Sequence, residues 1–339
     1  HIFAFVRDNM MCTDHNATEI KQPLKNALKS RNGNVAEINL LLVAMLLKAG
    51  LEADPVLLST RSHGYTLESY PLLDRFNYVV AQTVIDGNTY YLDASEPGLG
   101  FGHLPYQCYN GHARVINAEA TPLDFTSDSL LEKKVTTFFV VSNENGNLSG
   151  NVQQIPGYYE SCRLRSAVKE KGTPELVNEI KKGFSGETEI KDLFIDSLAN
   201  YEGPVTIRYD FDSKMAADEI VYINPMFGEG YKENPFKSVE RFYPVEMPYT
   251  IDETFQLQMQ LPPGYEVDEL PQQLVVKLNE HDDGLFEYRI TESNGTISLR
   301  SRLRIRRSLF EPDEYSKLRE FFSIVVKKHN EQIVLKKKK

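Results

Sequence analysis

The stretch Gly33-Asn34-Val35-Ala36-Glu37-Ile38-Asn39-Leu40-Leu41-Leu42-Val43-Ala44-Met45-Leu46-Leu47-Lys48-Ala49-Gly50-Leu51 decides the reading of the N-terminal half. Its spacing predicts a helix from Ala36 to Ala49, with Gly50 where a helix C-terminus takes a left-handed residue. Leu40, Leu41, Leu42, Val43, Met45, Leu46 and Leu47 leave almost no polar face, so the helix is expected to be buried on all sides at the centre of a domain. The uncharged run Ile38 to Leu47 is 10 residues long, and a membrane span needs about 20. No membrane span is therefore expected in this chain.

Outward from that helix, Ile2 to Met11 and Pro23 to Ser30 predict two short helices, and Arg31-Asn32-Gly33-Asn34 a turn. Strands are expected after it, at Pro55 to Thr60, Phe76 to Ile85 and Thr89 to Asp93. The last two flank Asp86-Gly87-Asn88, a strong hairpin signal. With a two-residue loop, either register puts Tyr78, Val80 and Asp93 on one face. The first domain, residues 1–125, is thus read as a buried helix against an antiparallel sheet.

Residues 126–339 form the second domain, which is richer in strands. A hairpin is expected from Val135 to Ser142 and Leu148 to Gln154 around Glu144-Asn145-Gly146, then a helical insertion near 158–184 (Tyr158 to Lys171, Thr173 to Phe184). Strands follow at Val205 to Phe211, Glu219 to Ile223, Thr254 to Leu261 and Gln273 to Leu278. Asn294-Gly295 as a type I′ turn pairs Ile290 with Leu299, Phe286 with Leu303, Glu287 with Arg302 and Arg289 with Arg300. Arg300, Arg302, Arg304 and Arg306 then share one basic face, read as a solvated sheet face paired to neighbours such as Glu287. Tyr315 to Lys328 closes as a helix, and Ile333 to Leu335 as a last strand before the lysine tail. The aromatic- and proline-rich Glu229–Phe236 and Arg241–Val245 segments read as an ordered loop, packing patch or groove. The fold class is α+β, the second domain resembling a β-sandwich.

Composition agrees with two domains. The chain has 339 residues, 41% apolar and 25% charged, which is ordinary globular usage. Net charge is −10, which argues against nucleic acid as a partner. The charge is uneven, since residues 300–339 hold 13 Lys/Arg against 5 Asp/Glu. Three cysteines, Cys12, Cys108 and Cys162, allow at most one disulfide and form no C-x-x-C pair, so no structural zinc is expected. His103, Cys108 and His112 match no standard metal spacing either. The chain begins at His1 inside an apolar pattern, as a fragment or a processed chain does.

The deciding stretch resembles the core of the transglutaminase-like superfamily, which shares the papain-like arrangement. That pattern is Gly-x-Cys-x-Asp followed by a buried helix ending in Gly-Ile or Gly-Leu, and Gly33 to Gly50 follows it without a gap. The family's next two elements are a strand with an aromatic or Asn before His, and a strand ending in Leu-Asp. Arg75-Phe76-Asn77-Tyr78-Val79-Val80 and Tyr90-Tyr91-Leu92-Asp93-Ala94-Ser95 stand there. The resemblance covers about residues 1–120. The order of the whole chain, with Asn234-Pro235-Phe236-Lys237 and Leu261-Pro262-Pro263-Gly264-Tyr265, is similar to multidomain proteins of Bacteroidetes-type bacteria. It implies an exported protein with a periplasmic or cell-surface location.

In that family a cysteine at a helix N-terminus is the nucleophile, a histidine on the facing sheet is the base, and an aspartate orients the histidine. Here Val35 stands at the cysteine position and Tyr78 at the histidine position, and only Asp93 remains. Valine carries no nucleophile, and a phenol with an ordinary pKa of about 10 is a poor base at neutral pH. Losing either group costs triad hydrolases on the order of 10⁶ in turnover. The resemblance therefore implies a pseudoenzyme with no catalytic residue, cofactor or metal. Tyr78 is expected to donate a hydrogen bond to Asp93 instead, and the former active-site cleft either to bind a peptide, protein or glycan or to be filled in a structural role within a larger envelope protein. The alternative is a cysteine hydrolase, protease or acyl transferase using a relocated thiol. Its thiol would be Cys108 or Cys12, with His15, His63, His103 or His112 as base. Cys162 reads as structural.

Overall fold

The computed structural model describes the chain apart from Pro71, Glu144, Asn145, Ser185, Ala216 and Ala217. It is an α+β structure that divides into two compact units. The first holds residues 1–130 together with Ala199–Gly203, and the second holds 131–198 and 204–339.

In the first unit the long helix spans Val35–Lys48 and begins one residue earlier than its periodicity predicts. The cause is a reciprocal cap. The Asn34 side chain accepts the Glu37 N–H at 2.8 Å, and the Glu37 carboxylate accepts the Asn34 N–H at 3.0 Å. Glu37 also accepts the N–H groups of Lys21 and Gln22 at 2.8 and 2.9 Å. Burial opposes its charge, but these donors and the Gln22 amide hold its carboxyl below the usual range. One acidic side chain thereby caps the helix and ties down the segment ahead of it.

Val35 to Asn39 are all buried, but the helix is not buried on all sides. In its later turns Ala44 is exposed, and Leu47 is 54% exposed. The elements that pack on it are the helices Ile2–Asn9 and Leu24–Ser30 and the strands Glu52–Leu58 and Tyr78–Ile85. They cover one side of that end and leave the other to solvent. Gly50 follows with φ +81°, as a helix exit requires.

The helix lies against a five-stranded antiparallel sheet in the order Asn88–Leu92, Tyr78–Ile85, Glu52–Leu58, Gly111–Val115, Pro122–Phe125. The last two strands are short and weakly patterned, and periodicity does not predict them. The hairpin turn is Asp86-Gly87, both at positive φ, so Ala81 pairs with Leu92. The predicted first helix stops at Asn9. Met11–Cys12 instead pairs in parallel with Asn32–Gly33, which tethers the N-terminal segment to the foot of the long helix.

The second unit is built on an eight-stranded sheet. Its order is Thr188–Asp196, Thr206–Ser213, Leu148–Ile155, Leu131–Ser142, Thr250–Gln260, Thr296–Ile305, Gly284–Ser293, Leu274–Lys277. All pairs are antiparallel except Leu131–Ser142 with Thr250–Gln260. The helical insertion is Tyr158–Lys171 and Thr173–Gly183. Part of the predicted turn at Glu144-Asn145-Gly146 lies outside the described residues.

The inner sheet face shares one core with the helix Tyr315–His329 and a smaller sheet, Ile220–Ile223, Ile333–Lys337 and Tyr265–Glu269. Lys336 and Lys337 of the tail thus belong to a strand. The turn Asn294-Gly295 has φ of +52° and +75° and sets the predicted register, Ile290 against Leu299 and Glu287 against Arg302. On the outer face the arginines meet carboxylates. Arg302 grips Asp252 with two bonds of 2.8 and 2.7 Å, Arg306 lies 2.8 Å from Asp282, and Arg300 lies 3.5 Å from Glu287. The aromatic–proline stretch is divided. Tyr231 and Phe236 pack on Phe322, whereas Phe242 is 84% exposed.

Candidate functional site

The hairpin register puts Tyr78 and Asp93 side by side. The Tyr78 hydroxyl donates to Asp93 Oδ2 at 2.8 Å and lies 3.2 Å from Ser95 Oγ. Asp93 Oδ1 accepts from Asn39 Nδ2 at 2.8 Å, from the Ser95 N–H at 2.9 Å and from Ser95 Oγ at 2.6 Å. Asn39 comes from the long helix. It also donates to the Val79 carbonyl and accepts the Ala94 N–H, each at 2.8 Å. A fully buried carboxylate is thus held by four neutral donors, which is how such a charge is tolerated in an apolar interior. Burial first, then the charge of Asp93, pushes the Tyr78 phenol well above its usual range. The phenol is thereby kept protonated, which suits the hydrogen bond it donates to Asp93.

Val35 is the first residue of the helix after its cap, and it is fully buried. It shares an apolar cluster with Tyr78, Leu104 and Cys108, and Cys12 packs against that cluster. Helix N-terminal N–H groups are the donors that could stabilise an oxyanion. Here the Val35 N–H is taken by the Asp14 carbonyl at 2.9 Å and the Glu37 N–H by Asn34.

Beside this cluster opens a cleft of about 440 Å³, with Tyr78, Cys108, Glu96, His15, His63 and Asn77 among its walls. Asn77 ties three of its segments together. Its carbonyl oxygen accepts the Thr60 N–H at 2.8 Å, and its amide donates to Asn16 at 2.8 Å and to Thr60 Oγ1 at 2.9 Å. His15 Nδ1 lies 3.3 Å from Glu96. Burial, then the charge on Asp93, pushes the Glu96 carboxyl up to about 7.

The structure brings Cys108 and Cys12 to this region but in unreactive form. Cys108 is buried, and its thiol is pushed well above the usual range by burial and then by Asp93 and Glu96. Cys12 donates to the Asp14 carbonyl at 3.5 Å, and burial pushes its thiol up to about 11. Both values run opposite to the depressed pKa of a nucleophilic cysteine. His103 and His112 are not cleft residues. The His112 ring lies 6.2 Å from that of Phe76, tilted by 55°, and 3.4 Å from Arg114, and burial lowers the pKa of both histidines. Cys162 sits on the helix Tyr158–Lys171, with its thiol raised by burial. Among the described residues no three His, Cys, Asp or Glu side chains are grouped to hold a metal ion. A second cavity of about 550 Å³ lies in the second unit, near Phe184, Tyr222 and Phe227.

Three residues of the site escape a reading by motif: Asn39, Ser95 and Glu96. Asn39 had a signal, as the one polar residue inside the run Ile38–Leu47. Ser95 and Glu96 follow Asp93 directly in sequence, but nothing local marks them as buried or cleft-facing.

A domain family of unknown function, DUF3858, matches residues 219–335. No functionally curated protein matches the chain. Among solved structures, a chain from Parabacteroides distasonis ATCC 8503 described as a "putative protease" matches with a TM-score of 0.55 at 14% identity. The match covers 99% of this chain and 50% of that one, so this chain spans about half of that protein's length. At that identity the likeness is one of fold alone.

Proposed function

We propose that this chain is a transglutaminase-like protein without the family's cysteine chemistry, and that its cleft binds a ligand rather than cleaving one. The observation that carries this reading is the pair Tyr78–Asp93. At the positions where the resemblance calls for a base and its orienting acid, a phenol donates to a carboxylate that three further donors already hold. At the nucleophile's position stands buried Val35. The cleft beside them persists, with a polar wall of carboxamide, hydroxyl and imidazole groups suited to a peptide, protein or glycan. A role outside the cytoplasm, in the envelope of a Bacteroidetes-type bacterium, is part of the same proposal and rests on the resemblance alone.

The competing reading is a cysteine hydrolase or acyl transferase using Cys108 or Cys12. Cys108 does reach the cleft wall, but its raised pKa weighs against it. Purified protein is expected to show no amide hydrolysis or acyl transfer with glutamine- and lysine-containing peptides. Turnover that disappears on Cys108→Ala or Cys12→Ala would replace this proposal with the competing one.

A further inference from the structure

Residues 14–20 cross the N-terminal end of the helix Val35–Lys48 as a strap. Both ends of the strap are fixed. On one side Cys12 pairs with Gly33, and the Thr13 N–H donates to the Gly33 carbonyl at 2.9 Å. On the other, the Glu37 carboxylate accepts the N–H groups of Lys21 and Gln22.

Between these anchors the strap is lightly held. It contains no helix or strand. Among the described residues its one backbone–backbone hydrogen bond runs from the Val35 N–H to the Asp14 carbonyl, at 2.9 Å. Asn34 Nδ2 donates to the Glu19 carbonyl at 2.9 Å, Asn77 Nδ2 donates to Asn16 Oδ1 at 2.8 Å, and His15 Nδ1 lies 3.3 Å from Glu96. Ala17 packs on the apolar cluster of Val35, Tyr78 and Cys108, whereas Ile20 is exposed. A segment with so few buried apolar contacts belongs to the parts of a fold that open locally while the rest stays folded. It is also braced internally. The Asp14 carboxylate accepts the Asn16 N–H at 2.9 Å and lies 3.1 Å from Lys21 Nζ. Those bonds survive if the strap lifts as a unit about its two anchors.

The strap faces the cleft and the helix start together. His15 and Asn16 are cleft walls, the Asp14 carbonyl occupies the Val35 N–H, and Tyr78 and Cys108 belong both to the cleft and to the cluster under Ala17. We propose that residues 14–20 are a lid on the cleft. Lifted, the strap uncovers the Val35 N–H and lengthens the cleft to the start of the helix, and the ligand occupies this open form. Closed, the Asp14 carbonyl holds the place of a ligand oxygen. The lid adds a gate to the binding function proposed above and rests on it. A ligand that binds only the open form has its affinity reduced by the fraction of molecules that are open.

The test joins amide hydrogen exchange, followed by NMR, to ligand binding. Val35 reports the lid, Glu37, whose N–H is held by Asn34, reports the cap, and Leu42 reports the helix. The lid is opened with Ala17→Glu. A carboxylate is costly against the cluster of Val35 and Tyr78 and is solvated once the strap lifts, and Ala17 is not a cleft wall. The Val35 amide should exchange at least about tenfold faster than in the parent, with Glu37 and Leu42 unchanged. His15→Ala/Asn16→Ala, which removes both links to the cleft wall, should accelerate Val35 in the same selective way. Binding is read by fluorescence anisotropy with two fluorescein-labelled probes, maltohexaose and a dodecapeptide of Gly, Ser, Thr, Asn and Gln. In Ala17→Glu the affinity for the probe that binds should rise by the factor by which Val35 exchange rises, because both follow the open fraction.

Val35 exchange that does not change, or that accelerates together with Glu37 and Leu42, overturns the lid: the strap then stays down, or the helix end frays with it. Selective Val35 acceleration with unaltered probe affinity also overturns the proposal, since the strap then moves without gating. If neither probe binds the parent or Ala17→Glu, the binding function itself falls and the gate falls with it, whatever Val35 does.

Discussion

Among the described residues, the Tyr78 hydroxyl is the sole side-chain donor to Asp93 Oδ2, at 2.8 Å, and both residues are almost wholly buried. Tyr78→Phe should therefore strand one carboxylate oxygen and cost about 1–3 kcal/mol, the penalty for an unmet buried polar group. Asp93→Ala should cost more, because it frees the donors of Tyr78, Asn39 and Ser95 together. Urea unfolding of the two variants and the parent checks both the sign and the order.

Thiolate, the reactive form of cysteine, should be scarce at every position. With its thiol pushed up to about 11, Cys12 should react with iodoacetamide at pH 7 on the order of 100-fold more slowly than free cysteine. Cys108 should be slower still, since it is also buried. Peptide mass spectrometry of timed alkylations gives each rate separately. A cysteine that outpaces free cysteine would contradict the assignment of both thiols as unreactive.

Glu96 predicts a pH dependence with a definite sign. Its carboxyl titrates at about 7 in the folded chain and near 4.3 when unfolded. Between those values the folded state holds the proton more tightly, so Glu96 favours folding below about pH 4.3 and loses that contribution as pH rises to 7. Glu96→Gln should therefore gain in Tm relative to its parent as pH rises across this window, and the difference should level off above it. Making both proteins in a His15→Gln background removes the imidazole that lies 3.3 Å away. A difference that stays flat from pH 4 to 8 would count against the raised carboxyl.

The Asn294-Gly295 turn sets the register of the hairpin Gly284–Ser293 with Thr296–Ile305, ten residues in each strand. Gly295 has φ +75°, a conformation that costs an L-residue strain. Gly295→Ala should destabilise the protein by about 1 kcal/mol. Asn294→Ala, at φ +52°, should also destabilise it, since Asn tolerates that region and Ala does not. Thermal unfolding of the two variants measures this.

Much of the fold was legible because it rests on local chemistry. Apolar residues without interruption from Leu40 to Val43, bounded by Asn34 and Gly50, specify a buried helix whatever surrounds it. Asn-Gly and Asp-Gly set hairpin registers through two residues each, and every cross-strand pair follows from that setting. What escaped prediction depends on remote neighbours. The strands Gly111–Val115 and Pro122–Phe125 are strands because Glu52–Leu58 offers them an edge. Leu47 is exposed because nothing packs over that side of the helix end.

The candidate site divides in the same way. The sequence by itself determined that Val35 carries no nucleophile and Tyr78 no imidazole, because side-chain chemistry is a property of the residue and needs no coordinates. It also placed Tyr78 and Asp93 on one face, since alternation along two strands joined by a two-residue turn leaves no other outcome. Only the tertiary structure decided that Asn39, from a helix 54 positions away in sequence, would hold the same carboxylate. Only it set the pKa directions of Cys12, Cys108 and Glu96, and brought His15, His63 and Asn77 to the walls of one cleft. Burial and proximity are sums over atoms from distant parts of the chain, and no local window of sequence contains them.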